Sequence, residues 1–533
     1  MKEISGDSFD LSYMTYNPEQ YENILMTKIG KVRELFSTDF KTHIGEIELD
    51  IYRSPMAHCR FRCRFAVMLN TATLPSAMLN PNSSSCDTSS VFNTSNSLNG
   101  STTEKITSLS YAKWENGSPS VMVREFPVAA VPIYLIMPIV ADEIVKCKGN
   151  ILTQELQAIH YLCTYAGSIM ITLIYHNRTG KGGDANPVAD GIDSDDWRRE
   201  AEELKERLRE RYLEAHVGKP LDASIDTDVP LLAEDAEFVI NIIGRSRHVK
   251  VVVGSDFLLE RLDLSTVHAR SVHLAPDNTG VVVPSAMPRY AYYRQIEDGF
   301  TNPNALVNMC SLAWLSLQVE GILGHYNRRM AAKRCASASA GNCAAESAAD
   351  LYLDMLELYC GNGNHSAVIS KYLRSDQFAI SGRVLAVESN ENLCRVAVEN
   401  MALNGCTNVE IMHCPSAFVT RTLLNTKRPK VAPIAGEDDR NHLADMDCCF
   451  KSKQAPFRSY MFEIILVDPP RAGLDDITRK AVAKYPYILY ISCSPTALHR
   501  DLLQVTPAYM NDFYSLRKFV YYSCFVLFCF IAL

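Results

Sequence analysis

From residue 351 onward the chain alternates short apolar runs with helix-length amphipathic segments, and this alternation restricts the fold to a parallel, doubly wound sheet. Residues 353–358, 383–387, 409–412, 462–467 and 487–491 read as strands, with helices over 366–373 and 393–404 between them. In open sheets of this kind ligands gather outside the carboxyl ends of the strands. Four such ends carry informative residues. Gly361-Asn362-Gly363-Asn364 follows the first strand, where glycines let the backbone turn closely under a ligand, although a plain tight turn accounts for that pattern equally well. Glu388 ends the second strand, at a spacing that suits ribose hydroxyls. Asp468-Pro469-Pro470-Arg471 ends the fourth and puts a carboxylate and a guanidinium on a turn stiffened by two prolines. Cys493 ends the fifth, between Ser492 and Ser494-Pro495. At a strand tip it is a candidate nucleophile, against the buried thiol that is the default for cysteine. The loop lacks the full GxGxxG of a dinucleotide site, with Asn364-His365-Ser366 in its tail. Together with Glu388 it points to an adenosine-containing cofactor, S-adenosylmethionine over NAD.

Whole-chain properties narrow the function classes. A length of 533 residues suggests two or three domains. A net charge of −8 excludes a bulk nucleic-acid binder, so any RNA contact needs a local basic patch. The 17 cysteines contain no CxxC pair, which argues against a zinc ribbon or a disulfide framework and for a reducing compartment. Residues 1–16 carry Glu3, Asp7 and Asp10 and no apolar core, unlike a secretory or mitochondrial leader. The almost wholly apolar tail, residues 519–533, is short for a membrane span and suits a buried terminal strand.

Four stretches read as insertions: 70–118, rich in Ser, Asn and Thr and expected to be disordered; 177–194; the small-residue tract 331–348; and 426–455. Trp197, Ala201, Leu204, Leu208 and Tyr212 share one helical face, with Glu200, Glu203, Lys205, Arg207 and Arg211 on an opposite, solvated one. Residues 240–253 read as strands about a turn at Gly244, near Arg245, Arg247 and Lys250. A helix over 304–323 follows Thr301-Asn302-Pro303, and a domain boundary falls near residue 300.

At this point the motifs form an ordered set. Ser54-Pro55-Met56-Ala57-His58-Cys59-Arg60-Phe61-Arg62, Leu173-Ile174-Tyr175-His176, Ile243-Gly244-Arg245, Gly299-Phe300-Thr301-Asn302-Pro303-Asn304, and the segments 357–364, 468–474 and 485–495 occur in the order found in the tRNA (uracil-5-)-methyltransferases of the TrmA type. The chain resembles that family over most of its length outside the four insertions. The resemblance implies a mixed α+β RNA-binding domain over 1–300 and a Rossmann-like methyltransferase domain over 301–533. It implies that Cys493 attacks C6 of a uracil, that C5 takes a methyl group from S-adenosylmethionine, and that a base then removes the C5 proton. Asn302, Tyr359, Asn364, Glu388 and Asp468 would hold the cofactor, with asparagine at 302 where the family usually has glutamine. Arg471 and His176 would hold the base, and Arg60 and Arg62 would meet RNA phosphates. The implied partner is tRNA, with a flipped T-loop uridine as target. A monomer in the cytoplasm is expected, with an organellar location left open, no metal and no membrane anchor. A sibling branch acts on ribosomal RNA and binds an iron–sulfur cluster through clustered N-terminal cysteines. Here Cys59 and Cys63 are the only close N-terminal pair and no four-cysteine run exists, which disfavours that branch.

The family's proton-abstracting glutamate lies roughly one helix and one strand beyond the nucleophile. This chain has no glutamate after Glu463, and its carboxylates beyond Cys493 are Asp501 and Asp512. The expectation is therefore that residues 516–533 match nothing in the family and leave the sheet edge uncovered. Either release stalls at a covalent adduct, or His499 or Asp501 substitutes as base. A non-catalytic tRNA-binding or folding protein is the alternative this favours. A small-molecule methyltransferase is disfavoured by the basic residues Arg60, Arg62, Arg245, Arg247 and Lys250 in the large N-terminal half.

Overall fold

The computed structural model describes residues 17–44, 49–75, 103–115, 118–123, 125–148, 151–176, 192–216, 238–247, 249–272, 282–284, 286–339, 352–375, 380–425, 460–505, 519–522 and 528–532. After helix α1 (Tyr21–Ile44) and strand β1 (Leu49–Tyr52), the first half builds a seven-stranded sheet. Its strands are β2 (Arg62–Pro75), β3 (Thr103–Glu115), β4 (Ser118–Val123), β5 (Leu156–Cys163), β6 (Ile169–Tyr175), β7 (Ile240–Arg245) and β8 (Lys250–Val253), in the order β4-β3-β2-β5-β6-β7-β8. All neighbours are antiparallel except β6 and β7. Helices α2 (Val131–Ile144) and α3 (Asp195–His216) share a core with one face of this sheet, through residues such as Phe65, Ile159, Tyr161, Ile171, Leu173 and Trp197.

Three expectations fail in this half. The stretch 70–118 is not one disordered loop: β2 runs on to Pro75 and pairs with β3 from Thr103, and only 76–102 and 116–117 lie outside the described residues. Leu109 and Tyr111 alternate into the core, which holds β3 in the sheet. Gly244 is no turn but lies inside β7, because a Cβ there would come within 2.5 Å of the Trp197 ring packed over it. The turn falls after Arg245, where Ser246 N–H donates to Val249 O at 2.9 Å. Glu200 is buried, not solvated, and accepts from the Lys148 backbone N–H at 3.1 Å.

The hairpin β9 (Phe257–Asp263) and β10 (Tyr290–Ile296) lies against the other face of the sheet, where Leu258 joins Leu162, Met170 and Ile243. After the short α4 (Val267–Val272) comes α5 (Ala305–Ser339), longer than expected. It runs through the first part of the small-residue tract, whose alanines favour helix; 340–351 lie outside the described residues. Although α5 is long and apolar enough to cross a membrane, most of that stretch is buried in the core.

The second half forms a six-stranded sheet from β11 (Asp354–Leu358), β14 (Val384–Glu388), β15 (Val409–His413), β16 (Phe462–Val467), β17 (Tyr487–Ser492) and β19 (Phe528–Ala532), in the order β15-β14-β11-β16-β17-β19. Its strands are parallel except β19, which pairs antiparallel with β17. The connections carry α6 (Ser366–Ile369), α7 (Glu391–Leu403), α8 (Ser416–Asn425), α9 (Asp476–Val482) and α10 (Pro495–Val505). This is the doubly wound, Rossmann-like arrangement, and burial on both faces is why its strands read as continuous apolar runs. The helix expected over 366–373 shrinks to one turn because the chain then enters a small hairpin, β12 (Arg374–Ser375) with β13 (Ile380–Ser381). The insertion expected at 426–455 lies outside the described residues.

The chain ends cross back onto this sheet. Tyr21, Leu25, Ile29, Val32 and Phe36 form a helical stripe on α1 that packs with Leu356, Ile465, Ile488 and Leu498 under the second sheet. Strand β18 (Phe519–Tyr522) pairs in parallel with β1, and β19 covers the edge of β17. The edge expected to lie open is closed by the chain's own tail.

Candidate active site

The carboxyl ends of β14, β11, β16 and β17 bring Glu388, the 359–364 loop, Asp468 and Cys493 side by side in that order. The loop is strained at its first residue: Tyr359 has φ +65°, left-handed for a non-glycine. Its half-buried ring packs on the core, and burial together with nearby Asp475 raises its hydroxyl pKa, against hydrogen bonds with Thr478 and Ser416. Gly361 has φ +57°, and a Cβ there would meet nothing within 4 Å, so the loop opens onto free space. Gly363, at φ +81°, has no such room: a Cβ would come within 2.6 Å of the Met401 side chain on α7. The Glu388 carboxylate accepts from Gly361 N–H at 3.1 Å and from Ser389 and Asn390 N–H at 2.8 Å each. An open, left-handed glycine loop with a carboxylate fixed beside it fits an adenosine-bearing ligand.

The other expected cofactor residues are held by internal bonds. Asn364 and Asn308 of α5 exchange amide hydrogen bonds at 3.0 and 2.8 Å. Asn302 Oδ1 accepts from Asn304 N–H at 3.1 Å, which shapes the turn into α5. Phe300, two residues earlier, is 74% exposed; the sequence reading quoted it only as part of a motif.

Cys493 is exposed at the tip of β17. Partial burial and the Asp468 charge raise its thiol pKa, while Arg471 hydrogen-bonds it and draws it back down. Burial pushes Asp468 up to about 6, with His365 opposing and Glu357 adding to the rise. Glu357 is fully buried; Ser366 Oγ donates to it and His365 Nδ1 lies 3.3 Å from its Oε1. Burial would lower the His365 pKa, but Glu357 and Asp468 together raise it. Neither Glu357 nor His365 was singled out as a site residue. An ionisable histidine directly after the glycine loop was the available signal.

The expected RNA-contacting residues separate. Arg62 donates to the backbone carbonyls of Glu297 at 3.3 Å and Ile296 at 3.4 Å, and burial followed by nearby Arg64 lowers its pKa to about 10. Arg245 binds the Glu297 carboxylate and Asp298 at 3.3 Å. Both arginines therefore brace the turn leading to Asn302, while Phe61 N–H donates to Pro303 O at 2.7 Å. Arg60 is half-buried and bridges backbone to backbone with Ala129. His176 contacts Gln157 beyond the far end of β6. Arg62 pairs with Leu162 and Tyr175 with Leu156, so six strand residues, roughly 20 Å, separate Arg62 from the His176 end.

A family model described as tRNA (Uracil-5-)-methyltransferase matches residues 102–235 and 338–524. This chain belongs to the tRNA (uracil-5-)-methyltransferase family. A tRNA/tmRNA (uracil-C(5))-methyltransferase of Enterobacter sp. (strain 638) is 25% identical over 485 residues, 91% of this chain and 89% of the relative. Its counterpart in Shewanella amazonensis is 27% identical over 487 residues, with the same shares covered. A solved Pyrococcus abyssi tRNA (uracil-54, C5)-methyltransferase in complex with S-adenosyl-L-homocysteine aligns with 96% of this chain and 83% of its own, at 14% identity and a TM-score of 0.46.

The family match reaches residue 524 and so takes in β18, which corrects the expectation that 516–533 matches nothing in the family. Both residues expected as substitute bases are packed within the fold of this tRNA (uracil-5-)-methyltransferase family member. Asp501 is fully buried and accepts from Tyr490 Oη at 2.6 Å, Leu474 N–H at 2.7 Å, Arg479 at 2.8 Å and Arg500 at 2.7 Å. His499 packs edge-on against Phe36 of α1, with ring centroids 5.4 Å apart. Among the described residues no group of three His, Cys, Asp or Glu could hold a metal ion.

Proposed function

We propose that this chain methylates C5 of a uracil in tRNA, a T-loop uridine, with Cys493 as nucleophile. The observation that carries the reading is an exposed cysteine at the tip of β17, hydrogen-bonded by Arg471 and separated from an open glycine loop only by Asp468. Bound S-adenosylmethionine supplies the methyl group. Glu388, Tyr359, the rest of the 359–364 loop and Asp468 would hold it. Asn364 and Asn302 act chiefly by fixing the loops that surround it.

Arg471 stabilises the Cys493 thiolate, which adds to C6 of the uracil and pushes the C5–C6 electron pair toward C5. Once C5 carries the new methyl group, loss of its proton restores the C5–C6 double bond and expels the thiolate. The uridine must leave its stack to reach Cys493, and exposed Phe300 offers a ring for the displaced base. Arg62 and Arg245 hold the turn before Phe300 in place.

Nucleoside analysis of tRNA after reaction with the methyl donor tests the reading. Wild type should yield 5-methyluridine and Cys493→Ala none. Product from the alanine variant, or methyl groups on ribose alone, would overturn it.

A further inference from the structure

We infer that the outer face of the β9–β10 hairpin is a second tRNA-docking surface, which takes unpaired loop nucleotides from outside the T-arm. The inference deepens the methylation reading and rests on it for the identity of the RNA. A chain with a net charge of −8 needs a local basic patch to hold RNA. Arg62 and Arg245 are engaged at the turn before Phe300, and Lys250 lies 3.4 Å from Asp256. The hairpin gathers guanidiniums elsewhere. Strand alternation buries Leu258, Glu260, Leu262, Ala291 and Tyr293 and turns Leu259, Arg261, Tyr290, Tyr292 and Arg294 outward.

Two guanidiniums converge on one ring of that outer face. Those of Arg289 and Arg261 lie 4.8 and 5.4 Å from the centre of the Tyr290 ring, and the Tyr292 ring centre is 6.1 Å away. Stacking fixes the plane of a guanidinium and leaves its N–H groups for phosphate oxygens. It also sets like charges close together, which an anion offsets. The carboxylates nearby are already engaged. Asp263 accepts from Ser265 N–H at 3.1 Å and stays 3.8 Å from Arg289, beyond hydrogen-bond reach, while Glu399 of α7 accepts from Arg294 at 2.7 Å. Arg289 also borders a hollow of about 470 Å³ lined in part by Leu264, Val283, Pro284 and Met287, and its carbonyl accepts from Leu264 N–H at 2.8 Å. A basic rim, two tyrosines and an apolar hollow suit an unstacked base and its phosphate, whereas a duplex would offer phosphates alone. From Tyr290 to Ile296, β10 spans roughly 20 Å before it leads into Phe300. The unpaired nucleotides of the T-loop gather around the displaced uridine, so unpaired nucleotides docked at Tyr290 come from another loop of the tRNA.

The test compares the full chain on a whole tRNA transcript and on an isolated T-arm hairpin, with binding titrated over a salt series and 5-methyluridine counted in both RNAs. Wild type should bind the whole tRNA more tightly than the hairpin. The double variant Arg261→Gln, Arg289→Gln should weaken binding of the whole tRNA and lower its slope of log K against log salt by about 1–2. Its binding and methylation of the hairpin should match wild type, which also shows that it is folded. Tyr290→Ala should weaken tRNA binding by about 5–100-fold, while Tyr290→Phe, which keeps the ring, should bind as wild type does. Unchanged tRNA affinity in the double variant, a wild type that binds both RNAs equally, or the same fractional loss on tRNA and hairpin would overturn the inference. A wild type that makes no 5-methyluridine in either RNA refutes instead the methylation reading, and the difference in binding between tRNA and hairpin still decides the docking surface.

Discussion

Asn404, just past α7, bonds both sides of the Tyr292 backbone: its Oδ1 accepts from Tyr292 N–H at 3.0 Å and its Nδ2 donates to Tyr292 O at 2.7 Å. One side chain thus takes the place of a third strand along the free edge of β10. Asn400 extends the arrangement, accepting from Arg294 N–H at 2.8 Å and donating to Asn362 O at 2.9 Å in the glycine loop. The hairpin packed on the first sheet is thereby tied to the loop of the second. Asn404→Ala should cost about 1–3 kcal/mol in denaturant unfolding, since it leaves a partly buried N–H and C=O without partners. Asn404→Asp, which sets a carboxylate oxygen against the Tyr292 and Asn400 carbonyls, should cost at least as much.

Arg62 serves the 296–298 turn, so its removal should not behave like the loss of a phosphate contact. Arg62→Ala is expected to weaken tRNA binding while leaving the slope of log K against log salt unchanged. Arg64 lies exposed on the same strand, and Arg64→Ala should reduce that slope by about 1. Binding titrations over a salt series separate the two. An altered slope for Arg62→Ala would return it to the phosphate-binding role first assigned to it.

The reactivity of Cys493 is set by two opposed neighbours. Asp468 raises the thiol pKa, so Asp468→Asn should enlarge the thiolate fraction and speed alkylation by iodoacetamide at mildly alkaline pH. Arg471 lowers it, so Arg471→Met should slow the same reaction. Peptide mass spectrometry over time reads both, and equal rates in the two variants would contradict this electrostatic account.

How much of this was legible follows from what each residue depends on. Asp468 and Cys493 could be placed at strand tips because the parallel strands before them are buried on both faces and read as unbroken apolar runs. β3 was hidden because Ser108 and Ser110 occupy its open face and resemble linker. Gly244 suggested a turn, and only the Trp197 ring explains it. The Arg62 brace and the docking of α1 under the second sheet are contacts between distant segments, with no local signature. The Glu357–His365 pair appears only once the strained loop at Tyr359 folds the chain back on itself.

Asp501 belongs to stability. Asp501→Ala would leave the buried Arg479 charge without that partner and should cost about 3–5 kcal/mol. Tyr490→Phe removes one hydrogen bond of the same hub and should cost about 1 kcal/mol. Thermal or denaturant unfolding checks both.

The most direct test of the central claim follows the hydrogen that methylation must displace. A tRNA carrying tritium at uracil C5 is incubated with the protein and S-adenosylmethionine, and tritium released to water is compared with methyl groups gained by the RNA. Equal amounts, both abolished in Cys493→Ala, are predicted. Methyl transfer without tritium release, or release that survives the loss of Cys493, would contradict it.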